Sequence, residues 1–170
     1  MIGNDCLILG KYGNAEIVKA KLSHAEYLQH HLRETDRREC MIANCTPWRA
    51  LLYPLKSKSA ETYTTLIDDT PAMMFGVVPI DQYNVGRIWM LCSDKVEERQ
   101  KSFVKFSYDV VEYFQNKYYL LENIVPVEHT KTIKWLEYLG FFIHRKPFVI
   151  NEYKVYRFVR CQSESVEIIV

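Results

Sequence analysis

The sequence lacks most of the features that announce a function. It has no long apolar run: the longest, Pro71 to Ile80, is ten residues and contains Gly76 and two prolines. A membrane-spanning helix needs about 20 apolar residues, so none is expected. Met1-Ile2-Gly3-Asn4-Asp5 lacks the basic and apolar regions of a secretory signal. Six glycines and six prolines are too few for a linker protein or a collagen-like repeat. Charge of one sign is missing as well. Twenty-two basic and 21 acidic residues leave +1, so no global field points to nucleic acid and no acidic tail is present. The five cysteines, Cys6, Cys40, Cys45, Cys92 and Cys161, form no C-x-x-C or C-x-x-H pair. They read as free thiols in a reducing cytoplasm, and no metal spacing is found. His30-His31 does not supply one, since adjacent helical residues point about 100° apart.

Aromatic residues are abundant: twelve Tyr, eight Phe and three Trp, 14% of the chain. They bury large areas, so a single domain of 170 residues can still build a sizeable core. No repeat or low-complexity segment divides the chain. The expected organisation is an extension over 1–14, a domain over 15–160 and a tail over 161–170.

Along the domain, Ala15 to Ala20 reads as a strand. Ser23-His24-Ala25-Glu26 has the capping-box form and predicts a helix to about Leu32. Asp36 to Glu39 repeats the capping logic for a second helix. Thr46-Pro47 predicts a third, ended by Pro54. Thr62 to Ile67 and Ala72 to Val78 form a hairpin, and Gly86 to Cys92 a buried central strand. Val96, Phe103, Phe106, Val110, Phe114 and Tyr118 mark the longest helix, with Asp94 and Glu97 at its cap. Leu120 to Val127 is a strand, and Thr130 to Leu139 a helix with Gly140 at its C-cap. Phe141–Ile150 and Tyr153–Val159 form a closing hairpin. Helices fall between strands as well as around a meander, which predicts an α/β (α+β) fold. Its mixed central sheet has about six to seven strands, with helices on both faces.

This order resembles the GNAT acetyltransferase superfamily over roughly residues 15 to 160. The most telling piece is Asn123-Ile124-Val125-Pro126-Val127 leading through His129 and the short helix to Gly140-Phe141. The resemblance implies that acetyl-CoA binds in a V-shaped opening between the strands Ile88–Cys92 and Leu121–Val127. Met90, Leu91, Cys92 and Ser93 would meet its pantetheine arm. Lys95, Arg99 and Lys101, at a helix N-terminus that favours anions, would meet its pyrophosphate. Asp94 and His129 are the candidate acid–base groups.

Two departures stand out. The stretch Ser93 to Lys101 has no glycine to let phosphates approach the backbone. Leu136 stands where active members carry the Tyr that protonates the leaving thiolate, and His129 where they carry Asn.

A narrower resemblance rests on Arg38-Glu39-Cys40, on Thr64 to Val77, and on Trp89-Met90-Leu91-Cys92-Ser93-Asp94. These are similar to a phage family of GNAT-like proteins that includes podophage internal virion proteins. It implies a protein made in the host cytoplasm, with a virion or host protein as partner, acting in particle assembly or genome delivery. The alternative is an acyl-CoA-dependent N-acetyltransferase acting on a protein or small-molecule amine, in the host or otherwise. Nothing indicates nucleic acid or membrane as a partner.

Each candidate also has a plain structural use. His129 and Asp94 are suited to helix capping, and Cys92 to filling space as a small hydrophobe. Glu39 either lines an acceptor cleft or sits on a solvated helix face. Trp89, Tyr118 and Tyr119 suit packing.

Overall fold

The computed structural model describes residues 9–80 and 83–162; the side chains of 98–102, 104 and 105 fall outside that description. Cys6 and most of the expected extension and tail therefore lie outside the described residues.

Eight strands form one sheet in the order β1-β2-β3-β4-β5-β6-β8-β7. They are β1 (Gly10–Tyr12), β2 (Ala15–Lys19), β3 (Glu61–Ile67), β4 (Thr70–Pro79), β5 (Val85–Cys92), β6 (Leu120–Pro126), β7 (Phe142–Ile150) and β8 (Tyr153–Cys161). The sheet is mixed, as expected, but has one strand more than the upper estimate. The addition is β1, three residues folded back on β2 across a turn at Gly13, whose φ is +70°. So short a strand carries too little alternation to be read from sequence. Among the described strands only β5 and β6 pair in parallel. The β3–β4 turn is tighter than expected, since Asp68 and Asp69 both take positive φ (48° and 59°) and β4 starts at Thr70.

Helices α1 (Leu22–Leu28), α2 (Glu34–Ile42) and α3 (Pro47–Lys56) lie between β2 and β3. A 3-10 turn (Asp94–Arg99) leads into α4 (Gln100–Gln115), and α5 (Thr130–Tyr138) follows β6. Caps account for three corrections. Lys21 is the N-cap of α1, its amide donating to His24 Nδ1 at 3.2 Å, so Ser23 and Glu26 lie inside the helix. Helix α2 starts before Asp36, which frees that carboxylate for another contact. Pro54 lies inside α3 rather than ending it. Two expected caps are present. Thr46 Oγ1 accepts the Arg49 amide at 3.3 Å, with Pro47 at the first helical position. After α5, Gly140 at φ +83° lets Phe141 N–H donate to Leu136 and Gly140 N–H to Glu137.

The two faces of the sheet carry different helices. On one, α4 and α5 bury Phe106, Val110, Phe114, Ile133, Leu136 and Leu139 at helical spacing against Met73, Phe75 and Phe158. On the other, α1, α2 and α3 bury Leu28, Cys40 and Leu51 against Met74 and Leu91. Alternation along the strands separates these two cores. No helix among the described residues is long and apolar enough to cross a membrane.

Candidate active site

The parallel pairing of β5 and β6 lasts only three rungs: Val85 with Leu120, Gly86 with Leu121 and Arg87 with Glu122. Beyond them the strands part. Asn123 makes the break. Its Nδ2 donates to the Ile88 carbonyl at 2.7 Å, while its own Oδ1 accepts the Ile124 amide at 2.8 Å. A side chain thus stands where the next backbone rung would be.

The exposed backbone of β5 follows from strand alternation. Ser93 N–H donates to Ala72 O at 2.8 Å and Ile80 N–H to Val85 O at 3.1 Å. Arg87, Trp89 and Leu91 therefore turn their backbone groups to β4. Ile88, Met90 and Cys92 turn theirs into the gap. The Ile88 carbonyl is held by Asn123. The Cys92 amide is held by Asp36 Oδ1 at 2.9 Å, and its carbonyl by the Arg33 amide at 2.9 Å. On this gap-facing edge of β5, the Met90 peptide alone has no hydrogen-bond partner among the described residues.

Beside the gap, under α4 and α5, lies an apolar cavity of about 80 Å³ lined by Met73, Phe75, Met90, Phe106, Trp135 and Leu136, among others. Phe103 of α4 stacks on Trp135 of α5 across this groove, centroids 5.4 Å apart and planes 22° apart. Trp135 Nε1 is buried with no acceptor among the described residues. The opening is thus narrowed by aromatic rings but not filled.

Helix α2 crosses the open end of the V. Asp36, 2% exposed, grips the end of β5 and also accepts Arg33 Nε at 2.6 Å. Three residues on, Glu39 Oε1 accepts His129 Nδ1–H at 3.1 Å, just beyond the end of β6. The His129 side chain is 8% exposed and that of Glu39 36%. Burial pushes the Glu39 carboxyl up; the His129 hydrogen bond opposes that and the nearby Asp36 adds to it. Arg38 pairs with Glu128 at 2.9 Å, and Asn151 Nδ2 donates to the Ile42 carbonyl at 2.8 Å. Both arms of the V are thus tied to one helix at its open end.

The sequence candidates separate accordingly. Met90, Leu91, Cys92 and Ser93 are on the splayed strand or at its end. Of these, the Ser93 amide and hydroxyl both go to Ala72 O. Cys92 is fully buried, and burial pushes its thiol well up, which removes it as a nucleophile. Asp94 is exposed at the start of the 3-10 turn, and Lys95 lies beside it. The side chains of Arg99 and Lys101 lie outside the described residues. His129 occupies the N-cap position of α5, yet its side chain makes no capping hydrogen bond and turns to Glu39. Leu136 is buried against the cavity, whereas Tyr138 is exposed. Among the described residues no group of His, Cys, Asp and Glu is placed to hold a metal.

No protein-family model and no curated protein sequence matches the chain. Solved structures do. The ribosomal-protein-S5-alanine acetyltransferase of Vibrio fischeri superposes with a TM-score of 0.64 at 12% identity, covering 91% of this chain and 96% of that one. The fold is that of the GNAT N-acetyltransferases. The ribosomal-protein-S18-alanine N-acetyltransferase of Escherichia coli matches at 0.65 and 11% identity, over 92% and 99% of the two chains. The spermidine N-acetyltransferase of Vibrio cholerae, in complex with CoA and spermine, matches at 0.65 and 12%, over 88% and 96%. At such identities the likeness is one of fold. The splayed strands β5 and β6, with the apolar cavity beside them, make up the candidate site.

Asp36, Asn123, Phe103 and Trp135 were not singled out individually from sequence. Asp36 has the sequence pattern of a helix cap, and only its contact with Cys92, 56 positions away, shows its role.

Proposed function

We propose that the chain is an acyl-CoA-dependent N-acyltransferase. The observation that carries this reading is the Met90 peptide, unpaired on a splayed strand edge above an apolar cavity. An acyl-pantetheine arm is amide-bearing and apolar between its amides, so the edge and the cavity fit it. Acetyl-CoA, when bound, supplies an activated acyl thioester. Met90 would pair with the arm's amide. Phe106 and Trp135 would exclude water from it, and Trp135 Nε1 offers a donor there. Ligand pockets usually run to about 300–1,000 Å³. Entry at this groove therefore requires the Phe103–Trp135 stack to part.

The phosphate end fits less well. The Ser93 amide is already taken, no glycine opens the 3-10 turn, and Asp94 is exposed beside it. Lys95 is the described cation nearest in sequence. For the proton, Glu39 orients His129 through Nδ1, which leaves Nε2 free to accept from an amine.

The GNAT neighbours support this reading over the virion role that the phage resemblance implies. The taken Ser93 amide and the buried Leu136 count against acyl transfer by the usual groups. Calorimetry with acetyl-CoA, together with release of free CoA in the presence of mixed amines, tests the proposal. Saturable binding supports it. No heat and no thermal shift at millimolar ligand, alongside co-purification with phage particles, would establish the rival.

A further inference from the structure

Helices α1, α2 and α3 pack over β3, β4 and β5, and beyond them only α2 reaches, among the described residues, the far ends of β6 and β8 through Glu39, Ile42 and Arg38. Among the described residues the same face of β6, β8 and β7 is only partly covered: Val155 is buried, but Phe142 is 63% and Phe148 43% exposed. At the apex of the V, on this partly covered side, three charged residues meet. Glu122 of β6 is 8% exposed; Arg87 of β5 and Arg157 of β8 are 53% and 48% exposed. Arg87 donates from Nε and Nη2 to Glu122 Oε1 at 3.0 and 2.8 Å, and Arg157 from Nε to Oε2 at 3.0 Å.

Two guanidiniums against one carboxylate leave one positive charge, and donors are left over. Arg87 Nη1 and both terminal nitrogens of Arg157 have no acceptor among the described residues. Trp89, two residues beyond Arg87 on the same face, has a buried Nε1 with no acceptor either. Glu122 fixes both forks by their Nε edges, so their outer donors are pre-oriented. A planar fork held in place suits a carboxylate or phosphate. His144, opposite Arg157 in the ladder, stands edge-on to Phe142 with centroids 4.9 Å apart, forming an aromatic rim. This shelf lies on the sheet face opposite the cavity, at the point where β5 and β6 separate.

We propose that Arg87 and Arg157, held by Glu122, bind an anionic group, carboxylate or phosphate, on the amine acceptor; this assignment of an acceptor class rests on the acyltransferase reading above. The site disfavours polycations. The polyamine named with the Vibrio cholerae neighbour is therefore a poor model for this chain's acceptor.

The test uses pairs of amines that differ by the anion alone: tyrosine against tyramine for carboxylate, and O-phosphoethanolamine against ethanolamine for phosphate, with spermidine as the cationic control. Binding is measured by calorimetry on the full chain, with and without acetyl-CoA. The expected result is tighter binding of one anionic member by about tenfold or more, the weight of charge-assisted hydrogen bonds. That pair identifies the source of the anion. Arg157→Gln should erase the preference while leaving acetyl-CoA affinity unchanged. Arg157→Lys, which keeps the charge beside Glu122 but not the fork, serves if Arg157→Gln does not fold, and should lose much of the preference.

Equal binding of both members of both pairs, in protein that binds acetyl-CoA, overturns the shelf and leaves the acyltransferase reading standing. Arg157-dependent binding of an anionic member with no binding of acetyl-CoA upholds the shelf and overturns that reading.

Discussion

Asp36 and Cys92 are 56 positions apart, and the Asp36 carboxylate accepts the Cys92 amide at 2.9 Å while holding Arg33 Nε at 2.6 Å. One buried side chain thus ties α2 to the end of β5 and occupies a backbone group that would otherwise face the V. Asp36→Ala strands a buried amide and leaves Arg33 only its longer pairing with Glu97 at 4.0 Å. It should lower unfolding stability by about 3 kcal/mol. Asp36→Asn keeps an acceptor for Cys92 and should cost less. Urea denaturation of the two variants beside the parent chain gives both values. Equal losses would mean that the Cys92 contact contributes little.

The Phe103–Trp135 stack makes a prediction of the opposite sign for ligand and fold. Phe103→Ala should lower the melting temperature, because a stacked aromatic pair contributes about 0.5–1.5 kcal/mol beyond its buried area. The same change widens the groove between α4 and α5, so acetyl-CoA should associate faster. Stopped-flow binding followed by Trp135 fluorescence reads the rate. A slower association would show that the stack helps form the site rather than closing it.

The sheet order, the helices on both faces, the Thr46 cap and the turn at Gly140 were legible because each rests on local pattern. Alternation marks the strands, apolar spacing marks α4 and α5, and turn chemistry marks the ends. The site was legible only in outline. That β5 would be splayed came through resemblance, while its cause, Asn123 reaching the Ile88 carbonyl, is a contact across 35 positions. Asp36 is obscured because a carboxylate near a helix start reads as a cap whatever it touches, and the sequence leaves Glu39 open between an acceptor cleft and a solvated helix face. Arg87, Glu122 and Arg157 come from three strands, and no single stretch of sequence shows that they meet.

Thiol chemistry provides a direct check on burial. Cys92 is fully buried with its thiol pushed well up, and burial pushes Cys40 up to about 12. Cys161 is exposed. Brief alkylation of the native protein at neutral pH should label Cys161 well before Cys40 or Cys92. Those two should react only after denaturant is added. Peptide mass spectrometry locates the labels, and early modification of Cys92 would show that the end of β5 opens on its own.

Gly76 is required by the sheet itself. A Cβ placed there would lie 2.0 Å from the backbone oxygen of Glu61 on the paired strand, and backbone cannot step aside as a flexible side chain can. Gly76→Ala should destabilise by about 3 kcal/mol, at the upper end for an overpacked site. The loss should show as a lower denaturant midpoint with the slope unchanged.

The Glu39–His129 pair gives a pH signature whose sign follows from burial. Burial raises the Glu39 carboxyl above its ordinary value, so the folded chain holds that proton more tightly than the unfolded chain does. Well below the ordinary carboxylate range both states are protonated, and Glu39 adds no pH dependence. As pH rises through that range the unfolded state ionises first. Stability contributed by this group therefore falls until the folded-state carboxyl has ionised too. Glu39→Gln keeps an oxygen for His129 Nδ1–H but removes the titration. The variant should gain stability relative to the parent as pH is raised from strongly acidic to neutral, in a window just above the ordinary carboxylate range. Denaturation midpoints of both proteins across that range measure the difference. A gap that stays constant would mean that Glu39 ionises equally easily in both states, and a gap of the reverse sign would mean that its bond to His129 outweighs its burial.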